Sequence, residues 1–534
     1  MPNALTYNTE SKNKLKIGMD KLANAVKSTL GPRGKYVIIQ KAKKTPIVTN
    51  DGVTIAKHIS LEDPFENIGA QLIKEISSKT NDIAGDGTTT ACVLAQALIN
   101  AGYIMLNLGK SPNDIIFEIE KITNNVLEHI SQSVKLINLN SKTALKELTD
   151  IATISSGDET IGKIVGDAVF KVGKDGVFSI EDGKSTEIKV EITQGMQFDK
   201  GMESLYFSTD EIRSQCVLEN PYILILNRPA QYLQEFIDLL GKISNTNRPF
   251  LMIADEVEGE VLPTLVFNKM KGILRCCGVR SPGFGEYRKE ALRDIAIITG
   301  GKVIDYESDI QIKNVSLDML GQAEKVIVTT DKTTIIGGKG KTQDIKNRID
   351  HLTQKLEQSE LEHEQRILRQ RIAKINSGIV VIRSGGQTES EMIAKKYKIE
   401  DAVHAAQAAV KDGIVPGGGI ALLKSSLKID GSHPIIEALQ EPFNTILLNS
   451  SFTENQINEF KMSLAKNEEY SLGVDINTGL ICDMYDFGIV DPFLVTKSAL
   501  KNAVSIVKLL LNTEVLITDI PEKKTELTVV PPSA

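Results

Sequence analysis

The chain has no tryptophan, six histidines and five cysteines in 534 residues. Cys92, Cys216, Cys276, Cys277 and Cys482 form no CxxC pair and sit in apolar surroundings. They read as buried free thiols rather than a disulfide framework or a thiolate metal site. No HExxH occurs, so metal catalysis through histidine has no support, and His363 and His404 read as ordinary surface or core positions. There is no apolar run of about 18 residues, and no membrane span is expected. A net charge of −7 gives no reason to expect a nucleic-acid partner. The first residues lack a basic-then-apolar signal segment, so a cytoplasmic location, or a processed organellar chain, is expected. Internal repeats and low-complexity tracts are absent as well.

What is present is too long for one ordinary core and should form roughly two to four domains. Leu15, Met19, Leu22, Ala23 and Val26 lie at helical spacing and predict a helix over 9–30, stopped by Gly31-Pro32-Arg33-Gly34. Residues 36–39 and 46–49 read as paired strands before the turn Asn50-Asp51-Gly52. Helices resume over 68–79, after Ala91, and after the cap-like Ser111-Pro112-Asn113-Asp114. From about residue 150 strand-like runs appear at 188–192, 222–226, 250–253, 273–279 and 325–329, with helices expected over 230–243 and 256–271. That alternation indicates an α/β middle domain. The charged stretch 343–375 carries an apolar stripe through Ile345, Ile349, Leu352, Leu356, Ile367, Leu368, Ile372 and Ile375, broken near Gln358-Ser359-Glu360. A helical hairpin fits it. Helical texture then returns, and the tail 521–534 is expected to be mobile. A helical domain built from both ends, with an α/β domain inserted between them, follows.

Chemistry concentrates in Ile83-Ala84-Gly85-Asp86-Gly87-Thr88-Thr89-Thr90-Ala91, directly before a helix. Glycines admit a ligand to the backbone, and a helix start offers unpaired N–H groups and partial positive charge to phosphate. Asp86 beside phosphate requires a hard cation between them, such as Mg²⁺. A Thr-capped helix after a glycine turn is the plainer alternative. Thr29-Leu30-Gly31-Pro32, Asn50-Asp51-Gly52 and Gly417-Gly418-Gly419, with Asp401 and Asp491-Pro492, complete a nucleotide pocket. The run Gly337-Gly338-Lys339-Gly340-Lys341-Thr342 ends like a P-loop, but Ile335 stands where the first glycine is required. No dinucleotide fingerprint follows a strand and opens a helix.

With Gly195-Met196-Gln197-Phe198-Asp199, Ser281-Pro282-Gly283-Phe284-Gly285, Thr333-Thr334-Ile335-Ile336, Glu400-Asp401-Ala402 and Val490-Asp491-Pro492 added in order, the chain resembles the group I chaperonins (GroEL type) as a divergent member, from near residue 8 to near 520. The resemblance implies an α+β multidomain chaperonin fold. Its parts would be a mostly helical equatorial domain (1–134 and 412–534), a small intermediate hinge domain (135–193 and 379–411) and an α/β apical domain (194–378) that holds unfolded protein. It implies an ATPase using ATP and Mg²⁺, with K⁺ as a further cofactor. Thr29, Leu30, Gly31 and Pro32 would approach the nucleotide, Asp86 would hold Mg²⁺, and Gly87, Thr88, Thr89 and Thr90 would cradle phosphate oxygens. Gly418 would lie against the ribose and Asp491 would bond its hydroxyls. Asp401 would orient and deprotonate the attacking water, with Asp51 beside it, after domain closure brings the hinge segment into place.

By pattern alone, Leu233, Phe236, Ile237 and Leu240, and Leu262, Leu265, Val266 and Phe267, are ordinary core stripes of two helices. By resemblance, Ile237, Leu240, Leu262, Val266 and Phe267, with Met202, Tyr206 and Phe207, would line a ring-cavity mouth that binds unfolded polypeptides and receives a co-chaperonin lid. The chain departs from the family pattern at Asn50, where lysine is usual and K⁺ dependence is affected, and at Met202, where tyrosine is usual. Ile104, Leu108, Asn444 and Thr453 stand where charged or small residues usually join two rings. The resemblance therefore implies a homo-oligomeric ring of about seven subunits, with single rings populated beside double ones. Two other functions compete: a small-molecule kinase or ATP hydrolase using the same pocket, and a nucleotide-binding scaffold or holdase with little productive folding.

Overall fold

Apolar residues at every third or fourth position commit both chain ends to helices that each bury one stripe. The computed structural model describes residues 3–40, 46–173, 176–183, 185–210, 214–305, 311–359, 361–376, 378–431 and 433–519. The tail 521–534, expected to be mobile, and Glu360 of the expected hairpin break lie outside the described residues. The chain divides into two compact units. One comprises Met1–Lys174, Asp182–Glu187 and Ser384–Ala534; the other comprises Asp175–Glu181 and Ile188–Arg383.

In the first unit, helices Asn8–Lys27, Pro64–Ala84, Thr88–Asn107, Pro112–Gln132 and Phe493–Leu511 share one core, built from side chains such as Leu15, Met19, Ile73, Leu94, Leu98, Leu500 and Val507. Thr88–Asn107 is apolar and long enough to cross a membrane, but 61% of its apolar window is buried, as in the central helix of a core. Strand Asn3–Tyr7 pairs antiparallel with Val515–Asp519, tying the two ends of the chain together. That pairing is the physical basis of the inserted layout. Helices Ala144–Ser156, Glu159–Val172 and Glu389–Asp412 pack on one another and belong to this unit too.

The second unit is built on a mixed sheet. Strands Tyr222–Leu226, Phe250–Ala254 and Cys276–Arg280 run parallel, and the first two are buried at every position. Such strands are covered on both faces, which is why they read as continuous apolar runs. Gly321–Val328, Thr333–Gly338 and Gly195–Phe198 extend the sheet antiparallel. Helix 230–243 is not continuous: a single 3₁₀ turn, Leu233–Glu235, precedes helix Ile237–Asn245. Helix 256–271 shortens to Val261–Met270. The backbone explains both. Ala230 N donates to Glu256 O at 2.8 Å and Glu258 N to Ala230 O at 3.1 Å, so these residues spend their polar groups on each other rather than on a helix.

The charged stretch forms helices Thr342–Gln358 and Glu362–Asn376. Arg348 and Arg371, one from each, converge on Asp294 of helix Gly285–Thr299 with Nε–carboxylate distances of 2.8 Å. Both also reach Glu290. Burial raises the Glu290 carboxyl, but Arg293, Arg348 and Arg371 outweigh it and hold it down at about 2. Asp294→Ala leaves two partly buried guanidinium groups without this anchor, and should cost about 3 kcal/mol. Hydrogen exchange should then accelerate across Thr342–Gln358 and Glu362–Asn376 before it does in Tyr222–Leu226. Unchanged exchange there would mean that the apolar stripe alone docks the hairpin.

Candidate functional site

Helix Pro64–Ala84 closes at Gly85 (φ 66°) and helix Thr88–Asn107 starts after Gly87 (φ 77°), so Asp86 sits at the tip of a turn between two left-handed residues. Such backbone favours glycine. Packing demands it as well: a Cβ on Gly85 would lie 2.2 Å from the Cβ of His404, and one on Gly52 would lie 2.5 Å from Thr89 Oγ1 and 3.0 Å from Thr88 Oγ1. No side chain caps helix Thr88–Asn107, which leaves the amides of its first turn and their partial positive charge to an anion. Thr88 is buried, while Thr89 and Thr90 are half-buried.

Three further carboxylates, those of Asp51, Asp401 and Asp491, lie within electrostatic range of Asp86. Asp86 accepts from Ser155 Oγ at 2.7 Å and from the Gly87 amide at 2.5 Å. Asp51 caps helix Gly52–His58, accepting from Val53 N at 3.2 Å and Thr54 N at 2.8 Å. Asp491 lies on strand Val490–Pro492, opposite Val415 of strand Ile414–Pro416. Asp401 lies on helix Glu389–Asp412. Burial pushes the Asp401 carboxyl well above its ordinary value, and the charges of Asp51, Asp86 and Glu400 push it further. Asp86 is raised by burial and by Asp51, against the opposing bonds from Ser155 and Gly87. Asp491 rises to about 7 through burial and Asp86, with the Gly418 amide opposing. Its helix holds Asp401 within electrostatic range of Asp51 and Asp86.

Among the described residues no group of three or more His, Cys, Asp or Glu side chains could hold a metal ion alone. One carboxylate at Asp86 beside a phosphate-binding helix start suits Mg²⁺, which keeps waters and takes its other ligands from phosphate. In the turn after helix Asn8–Lys27, Thr29 turns its hydroxyl back to Val26 O at 2.8 Å, so this turn offers a ligand backbone rather than that hydroxyl. Asn449 Nδ2 holds the same turn by donating to Lys27 O at 3.0 Å and Leu30 O at 2.9 Å. Gly31 packs on Ile446, and Pro32 is exposed. Gly418 (φ 65°) lies beside Met484. As parts of this site Ser155 and Asn449 escaped the sequence reading, and His404 was read as an ordinary surface or core position. Ser155 carries no periodic or motif signal of its own; in Ser155-Ser156-Gly157-Asp158 the capping side chain is Asp158.

In the second unit, Tyr206 (67% accessible), Ile237 and Phe267 (57%) are exposed, while Leu240, Leu262 and Val266 are half-buried and packed on the core. Phe207 and Met202 do not join that surface. Phe207 is fully buried, and Met202 is buried while forming a bridge with Val279. The one-turn helix Leu205–Phe207 sends adjacent aromatic side chains opposite ways, Tyr206 outward and Phe207 beneath Gly278 of the sheet.

The profile of the TCP-1/cpn60 chaperonin family matches residues 22–521. In structure the chain is similar to the chaperonin gp146 from the bacteriophage EL 2 (Pseudomonas aeruginosa), crystallised in the presence of ATP-BeFx. The two are 21% identical over 97% of this chain and 99% of that one, with a TM-score of 0.65. A family match over nearly the whole length, on a chain with a recess of this make-up, settles its membership: the protein belongs to the TCP-1/cpn60 chaperonin family.

Proposed function

We propose that this chaperonin is an ATP-driven folding chaperone, and the observation that carries the reading is the meeting of four aspartates with an uncapped helix start in one recess. Burial, with repulsion between neighbouring carboxylates, raises Asp86, Asp401 and Asp491, and a bound Mg²⁺ would supply positive charge there and polarise the γ-phosphate. Asp86 would hold that ion, and the amides at Thr88, Thr89 and Thr90 would bind phosphate oxygens. Asp491 and Gly418 would take the ribose. Asp401 would orient the attacking water and accept its proton, with Asp51 fixed beside it by its own helix cap. The exposed Tyr206, Ile237 and Phe267, with half-buried Leu240, Leu262 and Val266, would capture unfolded polypeptides by burial without demanding sequence. A co-chaperonin lid would use the same surface. Equatorial, intermediate and apical domains with the boundaries given above, K⁺ dependence and a cytoplasmic setting belong to this proposal. So does a ring of about seven subunits, in which exposed Ile104 and Leu108 would weaken ring stacking. A holdase with little productive folding is the alternative.

Asp401→Ala should still bind ATP but hydrolyse it at least about tenfold more slowly, whereas Asp86→Ala should also weaken Mg·ATP binding. Steady-state turnover with a separate binding titration checks both; wild-type turnover in Asp401→Ala would remove the assigned base.

The recess also predicts a pH-dependent stability. Asp491 titrates at about 7 in the folded chain against an ordinary 3.8. Its ionised form is therefore penalised by folding: the penalty is complete above the folded value, shrinks as pH falls through it, and is absent below the unfolded one. Asp491→Asn should raise the melting temperature of the nucleotide-free protein at about pH 8, with the gain fading in acid. A pH-independent difference would contradict this electrostatic origin.

On the apical surface, Phe267→Glu should abolish capture of an unfolded client while leaving ATP turnover and melting temperature nearly unchanged. Leu240→Glu, at a half-buried position, should lose stability as well. If Phe267→Glu unfolds the protein, Phe267 belongs to the core.

A further inference from the structure

We infer that His404 is a positioning residue: resting on the reading of Asp401 as the proton acceptor, it seats the Asp401 helix on the Asp86 turn and so tunes hydrolysis separately from nucleotide affinity. Asp401 and His404 are three residues apart in helix Glu389–Asp412 and share a face. The His404 side chain lies on the bare Cα of Gly85. A Cβ there would fall 2.2 Å from His404 Cβ, 2.3 Å from Cγ and 2.4 Å from Nδ1, a space no second side chain can share. Gly85 is the left-handed residue that ends helix Pro64–Ala84, its amide fixed to Asn81 O at 2.7 Å, and Asp86 is the next residue.

The rest of that turn is braced from elsewhere. Ser155 holds the Asp86 carboxylate, and Gly87 packs against Val495. The position of Asp86 is thus set by several elements; the Asp401 helix packs on Ala144–Ser156 and Glu159–Val172 and meets the Asp86 turn itself where the His404 Cβ and ring lie on Gly85. A shift of about 1 Å in a reacting group can cost about a hundredfold in rate. Of the elements proposed to bind nucleotide, the first turn of Thr88–Asn107 and Gly418, which lies beside Met484, are outside this contact. His404 is itself exposed, so removing its ring opens no core cavity.

In the full-length protein, His404→Ala should lower kcat for ATP at least about tenfold. KM for Mg·ATP, affinity for a non-hydrolysable analogue and melting temperature should stay within about twofold or unchanged. His404→Phe, which restores a flat ring over Gly85, should regain most of kcat. In an Asp401→Ala background, His404→Ala should have no further effect, because nothing remains to be positioned. Wild-type kcat in His404→Ala, a His404→Phe variant as slow as His404→Ala, or additive losses in the double variant would each overturn the inference. Unchanged hydrolysis in Asp401→Ala alone would instead overturn the assignment of the base on which it rests.

Discussion

Asp51, Asp86, Asp401 and Asp491 come from four separate stretches of chain, yet burial and a neighbour's charge raise the protonation of three of them: Asp86 through Asp51, Asp401 through both, and Asp491 through Asp86. Like charges in partly desolvated surroundings drive apart unless the fold over-determines their places. Here it does. A helix cap fixes Asp51, Ser155 fixes Asp86, and strand pairing with the Gly418 amide fixes Asp491. Asp401 is carried on a helix that packs with Ala144–Ser156 and Glu159–Val172. The strain is the counterpart of the uncapped helix start nearby: one element lacks positive charge, the other lacks an anion, and a metal-bound phosphate satisfies both.

Glycine makes this crowding possible. At Gly85 and Gly52 the backbone itself is the surface against which His404, Thr88 and Thr89 rest. A methyl group at either place would separate the elements that carry the aspartates. The second unit works from the opposite principle. Its parallel strands are sealed on both faces, and the hairpin is locked to helix Gly285–Thr299 by a buried ion network. A closed core of this kind can leave Tyr206, Ile237 and Phe267 in solvent without collapsing onto them. Each forgoes about 25 cal/mol per Å² of apolar burial, which a non-native chain can recover by binding there.

Much of this was legible in the residue pattern because its causes are local. Helical stripes such as Leu15, Met19, Leu22 and Val26, the strand runs at Tyr222–Leu226 and Phe250–Ala254, and the Asp86 turn between glycines each express constraints within a few residues of backbone. The insertion of one unit within the other also followed from texture alone. Tertiary contacts decided the rest. Whether Tyr206 or Phe207 faces solvent depended on a sheet residue some seventy positions away, Gly278. Residues 230 and 256–258 bond each other instead of extending two helices. Ser155 and His404 became part of the recess only because separate helices bring them onto Asp86 and Gly85. Periodicity and glycine conformation act along the chain and can be read there, whereas burial and charge coupling act across space and exist only once distant segments have met.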